Sequence, residues 1–201
     1  MRALALGSLA LLVLLVALLG LRGWPLVAVE LAVIAAIAVA SRVIEPRFDR
    51  WLQGAQGEEH VGEILDGLAN RGWHVTHDVS LGRGNIDHVL VGPAGIFAIE
   101  TKSNRGRVSI DRLDQRMLAQ SYAEKKLVER ITGLKVQALL VFSQAWLIGR
   151  VPAQRRGVTV LPARMLAWFL SRRRPTLSIE QARELHQRLA MAFGQPAKPV
   201  G

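Results

Sequence analysis

Asp87, Glu100 and Lys102 are the side chains in this sequence whose types and spacing best suit bond-breaking chemistry. They belong to two apolar runs, Ile86-Asp87-His88-Val89-Leu90-Val91 and Ile96-Phe97-Ala98-Ile99-Glu100-Thr101, separated by Gly92-Pro93-Ala94-Gly95. Runs of β-branched residues around a Gly/Pro break read as a β-hairpin. If Gly92–Gly95 form the connection, Val91 faces Ile96, paired residue numbers sum to 187, and Asp87 lies opposite Glu100. Side chains alternate along a strand, so Lys102 shares the face of Glu100, with Asp87 across the ladder. Directly paired residues hold their Cβ atoms about 4.5–5.5 Å apart.

Like charges placed opposite each other destabilise a sheet, so something must offset the cost. Lys102 offsets part, and a divalent cation would offset more. Oxygen-only donors favour a hard ion such as Mg²⁺, or Mn²⁺, which keeps several waters and binds phosphate oxygens beside one or two carboxylates. Such an ion supplies a hydroxide nucleophile and holds the charge that develops in phosphodiester displacement. The Lys102 ammonium can orient the attacking water or stabilise transition-state oxygens. A second reading stands beside this one: a salt-bridged sheet end in which Asp87 caps the Gly84-Asn85 turn. His88 falls on the face opposite Asp87 and reads as packed or hydrogen-bonded, while His74 and His77 have no acid at metal-ligand spacing.

The surrounding pattern supplies elements to position these groups. Val61, Ile64, Leu65 and Leu68 form one stripe of a helix over Glu58–Asn70, closed by Arg71-Gly72. Strands are expected at His74–Ser80, Ile86–Val91, Ile96–Lys102 and Arg107–Ile110, then an amphipathic helix over Arg112–Ile131. Val136–Phe142 is continuously apolar, as in a strand covered on both faces. A strand at Gly157–Leu161 and helices at Arg164–Leu170 and Ser178–Phe193 follow, the last opened by a Ser178 cap with Gln181 three residues on. This order implies an α/β domain with a central mixed sheet flanked by helices.

Of 201 residues, 50% are hydrophobic and the formal net charge is +10. The absence of cysteine excludes a disulfide scaffold, a Cys-based zinc site, an iron–sulfur cluster and a thiol nucleophile. Only Arg2, Arg22 and Glu30 are charged in residues 1–40, so 24 of the 26 basic and 15 of the 16 acidic side chains fall in 41–201, a net +9. A basic domain points to nucleic acid or an anionic membrane surface. Ala3–Leu21 is 19 uncharged residues, about 28 Å as a helix and close to the hydrocarbon thickness of a bilayer. Arg22-Gly23-Trp24-Pro25 breaks it, and Leu26–Ala40, apolar except for Glu30, forms a second arm that reaches spanning length if it runs on to Ile44, with Arg42, Arg47 and Arg50 in its flank. The expected organisation is a transmembrane hairpin in 1–44, a folded domain in 45–193 and a tail in 194–201. Basic flanks place both ends of the hairpin, and the domain, on the cytoplasmic side of the inner membrane.

Gly57-Glu58-Glu59-His60-Val61-Gly62-Glu63, followed by the string Asn85-Ile86-Asp87-His88-Val89-Leu90-Val91-Gly92-Pro93-Ala94-Gly95-Ile96-Phe97-Ala98-Ile99-Glu100-Thr101-Lys102, resembles the NERD (nuclease-related) domain. That family is placed in the PD-(D/E)XK nuclease superfamily. The resemblance is strongest over about residues 55–145 and looser over 157–189. It implies a restriction-endonuclease-like core and Mg²⁺-dependent hydrolysis of nucleic acid, DNA ahead of RNA. By the resemblance Asp87 and Glu100 bind metal, Glu63 adds an acid from the first helix, Lys102 assists the nucleophile, and Gln120 matches a glutamine on the following helix. Ile86 stands where the superfamily usually has proline, which leaves the ligands untouched. Taken without the resemblance, Glu58, Glu59 and Glu63 read as a solvated helix face favouring its N-terminus, and Gln120 as a surface residue. Arg105 and Arg107, just past Lys102, are candidates for phosphate contact or for a merely solvated basic turn. The alternative function is a non-catalytic module that binds nucleic acid or envelope partners on the same fold.

Overall fold

The computed structural model describes residues 23–80 and 84–194. Helix α1 spans Trp24–Asp66 and is followed by a 3-10 turn, Ala69–Arg71, that stops at Gly72 in the left-handed region (φ 75°). Strands β1 (His74–Ser80), β2 (Asn85–Gly92) and β3 (Gly95–Lys102) come next, then the short β4 (Arg107–Ser109). Helix α2 (Gln115–Thr132) begins at Asp114, whose side chain accepts the Arg116 amide. It leads into β5 (Val136–Phe142), β6 (Trp146–Ile148), β7 (Ala153–Arg155) and β8 (Val158–Pro162). Helices α3 (Leu166–Ser171) and α4 (Ile179–Ala192) follow. Ser178 and Gln181 close a capping box at the start of α4.

Six strands form one mixed sheet in the order β1-β2-β3-β5-β8-β7, antiparallel through β1-β2-β3, parallel through β3-β5-β8, and antiparallel again at β7. The β3-α2-β5 crossover carries the chain over one face of the sheet, as a parallel pair requires. Register between β2 and β3 runs His88–Ile99, Val89–Ala98, Leu90–Phe97 and Val91–Ile96, the pairing expected from the hairpin sequence. Gly92 pairs with Gly95, so the turn itself is tighter than four residues. Alternation then sorts the core. Leu90, Phe97, Ile99, Leu139 and Val141 pack against Val61, Leu65 and Leu68 of α1 and against α3. On the other face, Val89, Val91, Ile96 and Ala98 meet Val128 of α2 and Ala182, Leu185 and Leu189 of α4. Ala138, Leu140 and Phe142 continue this face beneath Leu118.

Four elements depart from the sequence expectation. β4 leaves the main sheet and pairs with β6 in a separate two-stranded sheet. β6 and β7 are three-residue strands with no period long enough to read. The helix expected at Glu58–Asn70 is the last part of α1, which starts at Trp24. Consequently the second arm of the expected hairpin, residues 26–44, is not a separate helix, and the first arm, residues 3–21, lies outside the described residues. Among the described residues no helix is long and apolar enough to cross a membrane. The compact unit that carries the sheet begins at Gln53. Upstream, Val27, Leu31, Ile34 and Val39 of α1 are exposed.

Candidate active site

Regular pairing of β2 with β3 ends at His88–Ile99. One position further, Asp87 Oδ2 accepts the Thr101 amide at 2.6 Å, so the carboxylate takes the place of a ladder carbonyl. Glu100 is 3% exposed on the face that α2 covers. Its Oε1 accepts from Lys102 Nζ, and from Gln120 Nε2 at 2.8 Å. Lys102 Nζ also donates to Gln120 Oε1 at 3.1 Å, closing a triangle of acid, amine and amide. Glu100 Oε2 is buried without a hydrogen-bond partner. Asp87, Glu100, Lys102 and Gln120 are therefore brought together.

Electrostatics mark this group as costly. Burial pushes the Asp87 carboxyl up to about 7, helped by the Glu100 charge and opposed by the Thr101 amide. One turn beyond Gln120, burial and then the Glu100 charge raise the Glu124 carboxyl well above the ordinary range. As carboxylates, both Glu100 and Glu124 leave Oε2 without a partner. A proton on Glu124 turns that face-off into a donor and an acceptor.

The helix acid beside these groups is Glu58, not Glu63. Where α1 passes the loop after β3, a Cβ on Gly57 would collide with the hydroxyls of Ser103 and Ser143. Gln53 Nε2 donates to the Ser103 carbonyl, and Ser103 Oγ donates to the Gly54 carbonyl at 3.3 Å. This close approach sets the next residue, Glu58, where the Asp87 and Glu100 carboxylates feel it. Burial raises the Glu58 pKa first, then the charges of Asp78 and Glu100, with Lys102 opposing. Glu63 is exposed and lines a depression with Asp66, His77 and His88 that Glu58 also borders, and it is not among the charges felt by Asp87. Five residues of helix explain the correction: at 3.6 residues per turn, Glu58 falls about 60° from Val61 on the buried stripe, whereas Glu63 falls about 200° from it. Glu58 and Glu124 are the site residues that the sequence reading missed. Helical phase pointed to the first, and the i, i+4 relation to Gln120 to the second.

His88 is buried behind β2 and shares a proton with His77, Nδ1 to Nδ1 at 2.9 Å. Burial holds the His88 pKa down at about 4. Contrary to expectation His77 does meet an acid, Asp66, at 3.3 Å from Nε2. Arg105 Nε donates to Gln144 at 3.0 Å, and Arg107 is exposed on β4, so both flank the chain leaving Lys102.

Among the described residues no set of three His, Asp or Glu side chains lies close enough to hold an ion alone. Two carboxylates, one with an orphaned buried oxygen, suit a hard cation that keeps waters and takes further oxygens from a phosphate. The donor chemistry fits Mg²⁺ or Mn²⁺ in that mode.

Residues 53–143 match the family model described as the NERD nuclease-related domain. Over this segment the chain is similar to nuclease-related domains. The matched region holds Glu58, Asp87, Glu100, Lys102, Gln120 and Glu124, and ends one residue past β5. A mixed sheet with paired acids and a lysine on adjoining strands agrees with placing the nuclease-related domain in the PD-(D/E)XK superfamily. A protein of Bacillus anthracis described as uncharacterized is 29% identical over 82 residues, which cover 38% of this chain and 38% of that relative. No solved structure matches.

Proposed function

We propose that the nuclease-related domain hydrolyses phosphodiester bonds of DNA, and secondarily RNA, with Mg²⁺ or Mn²⁺ as cofactor. The observation that carries this reading is Glu100. It is a buried carboxylate with one oxygen committed to Lys102 and Gln120 and the other with no donor except a proton on Glu124, beside Asp87. A bound hard cation would supply an activated water and charge neutralisation there. Asp87 and Glu100 hold and orient it, and Glu58 adds negative charge from the helix side. Lys102 steadies the Glu100 carboxylate and presents an ammonium to the phosphate oxygens. Gln120 fixes both partners in place.

The test is cleavage of single- and double-stranded DNA and RNA by the full chain in detergent, titrated with Mg²⁺ and Mn²⁺. Cleavage should vanish in chelator and fall by at least about 100-fold in Asp87→Asn and Glu100→Gln, the scale of lost electrostatic stabilisation. Cleavage undiminished in chelator, or undiminished in Glu100→Gln, would refute the mechanism. A non-catalytic nucleic-acid-binding module is the second reading. It is favoured by the absence, among the described residues, of a three-acid metal cluster. Binding without cleavage under every metal condition would select it.

Membrane attachment belongs to the same proposal. It rests on the uncharged sequence 3–21 and on the exposed apolar side chains of α1 before Gln53. The basic residues flanking 3–44 support a cytoplasmic orientation of the domain. Digestion of the domain by protease added outside intact spheroplasts would overturn that orientation.

A further inference from the structure

At the opposite end of β3 from Glu100, a cavity of about 590 Å³ opens where β3, β5 and β8 begin. Its lining carries three cations and no acid: Lys125 from α2, Lys135 just before β5, and Arg173 after α3. Lys125 has Glu129 Oε1 at 3.7 Å, but that carboxylate is shared with Lys126 at 2.8 Å and with the Val136 amide at 3.2 Å. Neither Lys135 nor Arg173 forms an ion pair among the described residues. The Arg173 guanidinium lies 4.3 Å over the Phe169 ring, and its Nε–H is buried without an acceptor. A buried donor left unmade costs about 1–3 kcal/mol, more when charged. Of three like charges around one space, Lys135 and Arg173 have no counter-charge among the described residues and Lys125 has only a shared one.

We propose that this cavity binds a small molecule carrying a diphosphate, its oxygens held by Lys125, Lys135 and Arg173. Phosphate is the anion that offers several charged acceptors to a planar arginine fork and two point-charge lysines at once. The space lies within the 300–1,000 Å³ typical of ligand pockets, well beyond the need of a lone oxyanion, so an organic body accompanies the phosphates. Neutral groups for it are in place. Thr159 Oγ1 donates to Gln154 Oε1 at 2.9 Å, which orients the Gln154 amide as a donor. The Thr176 amide is tied to the Pro93 carbonyl at 2.7 Å, fixing that wall to the β2–β3 turn. The site shares no residue with the carboxylate cluster and does not depend on the nuclease reading.

The experiment is calorimetric titration of the full chain in detergent with inorganic pyrophosphate and with ADP, both in chelator so that divalent ions play no part. Saturable binding of both is expected, with ADP tighter by about tenfold. Lys135→Ala and Arg173→Leu should each weaken it by about tenfold or more, the loss of one charge-assisted contact. Glu100→Gln should bind as the parent does, which separates this site from the catalytic one. No saturable binding at millimolar ligand, or binding unchanged in both cation variants, would overturn the proposal. Equal affinities for ADP and pyrophosphate would overturn the claim that the cavity holds more than phosphates. Lys135 is exposed, so its variant folds and keeps the test decisive if Arg173→Leu does not.

Discussion

Asp87 illustrates how a side chain can be costly to the fold and useful to the site. Its ordinary carboxyl pKa of 3.8 is raised to about 7 in the folded protein, by burial first and by Glu100 next. Between these two values the folded state binds the proton and the unfolded state does not, so rising pH removes stability across that window and the loss is complete above about 7. Asp87→Asn keeps an acceptor for the Thr101 amide and deletes the charge. It should therefore stabilise the metal-free protein by a few kcal/mol at pH 8 and by almost nothing at pH 4. Thermal melts of parent and variant in chelator at both pH values check this; an equal difference at the two would show that burial of the charge is not the cause. Glu124→Gln should act in the same direction, because an amide donates to the Glu100 oxygen that now lacks a partner. The nearness of the acids was legible because strand pairing is integer arithmetic: a hairpin whose numbers sum to 187 carries Asp87 to Glu100, although the ladder itself stops one pair short at His88–Ile99. Glu58 and Glu124 were not selected because a helical acid declares its role only through phase relative to a buried stripe. Each looks alone like a solvated side chain.

At the scale of elements, the site depends on how closely α1 passes the end of β3. Gly57 permits it, since any side chain there meets the Ser103 and Ser143 hydroxyls. Gly57→Ala should cost about 1–3 kcal/mol in urea unfolding, and should also reduce cleavage by moving Glu58 away from the carboxylates. Lost stability with full activity would mean that Glu58 does not contribute. Ser178→Ala, which removes the α4 capping box, should cost about 1 kcal/mol and leave activity alone. It is the control for a purely structural loss. The same contact explains where the sequence misled. Pro46, Gly54 and Gly57 are poor helix formers, yet the helix expected only from Glu58 runs through all three. Docking of Gln53 and Gly54 on the Ser103 loop supports its final part against poor local propensity. The long strands and α2 followed from period and caps. β6 and β7 did not, because three residues carry no period and their pairing is set by tertiary neighbours.

For the whole molecule, the proposed function requires charge to reconcile the acidic cluster at Glu100 with a polyanionic substrate. The chain carries 26 basic against 16 acidic side chains, so the long-range field attracts a phosphate backbone even though the local field at Glu100 repels it. Attraction has to be delivered beside the acids rather than among them, and the turn after β3 is placed to do so. Arg105 is fixed by Gln144, and Arg107 stands on β4 next to it. Each cation that neutralises a phosphate adds about −0.9 to the slope of log affinity against log salt for duplex DNA. If Arg105, Arg107 and one further cation engage the backbone, raising salt from about 50 to 200 mM should weaken duplex binding roughly 40-fold. Arg105→Ala with Arg107→Ala should flatten the slope by nearly two, while Glu100→Gln should leave the slope as it is and abolish cleavage. Fluorescence anisotropy with a labelled duplex across that salt range reads all three. An unchanged slope in the double arginine variant would move the nucleic-acid path to another face of the domain, and with it the reason for placing the scissile phosphate at Glu100.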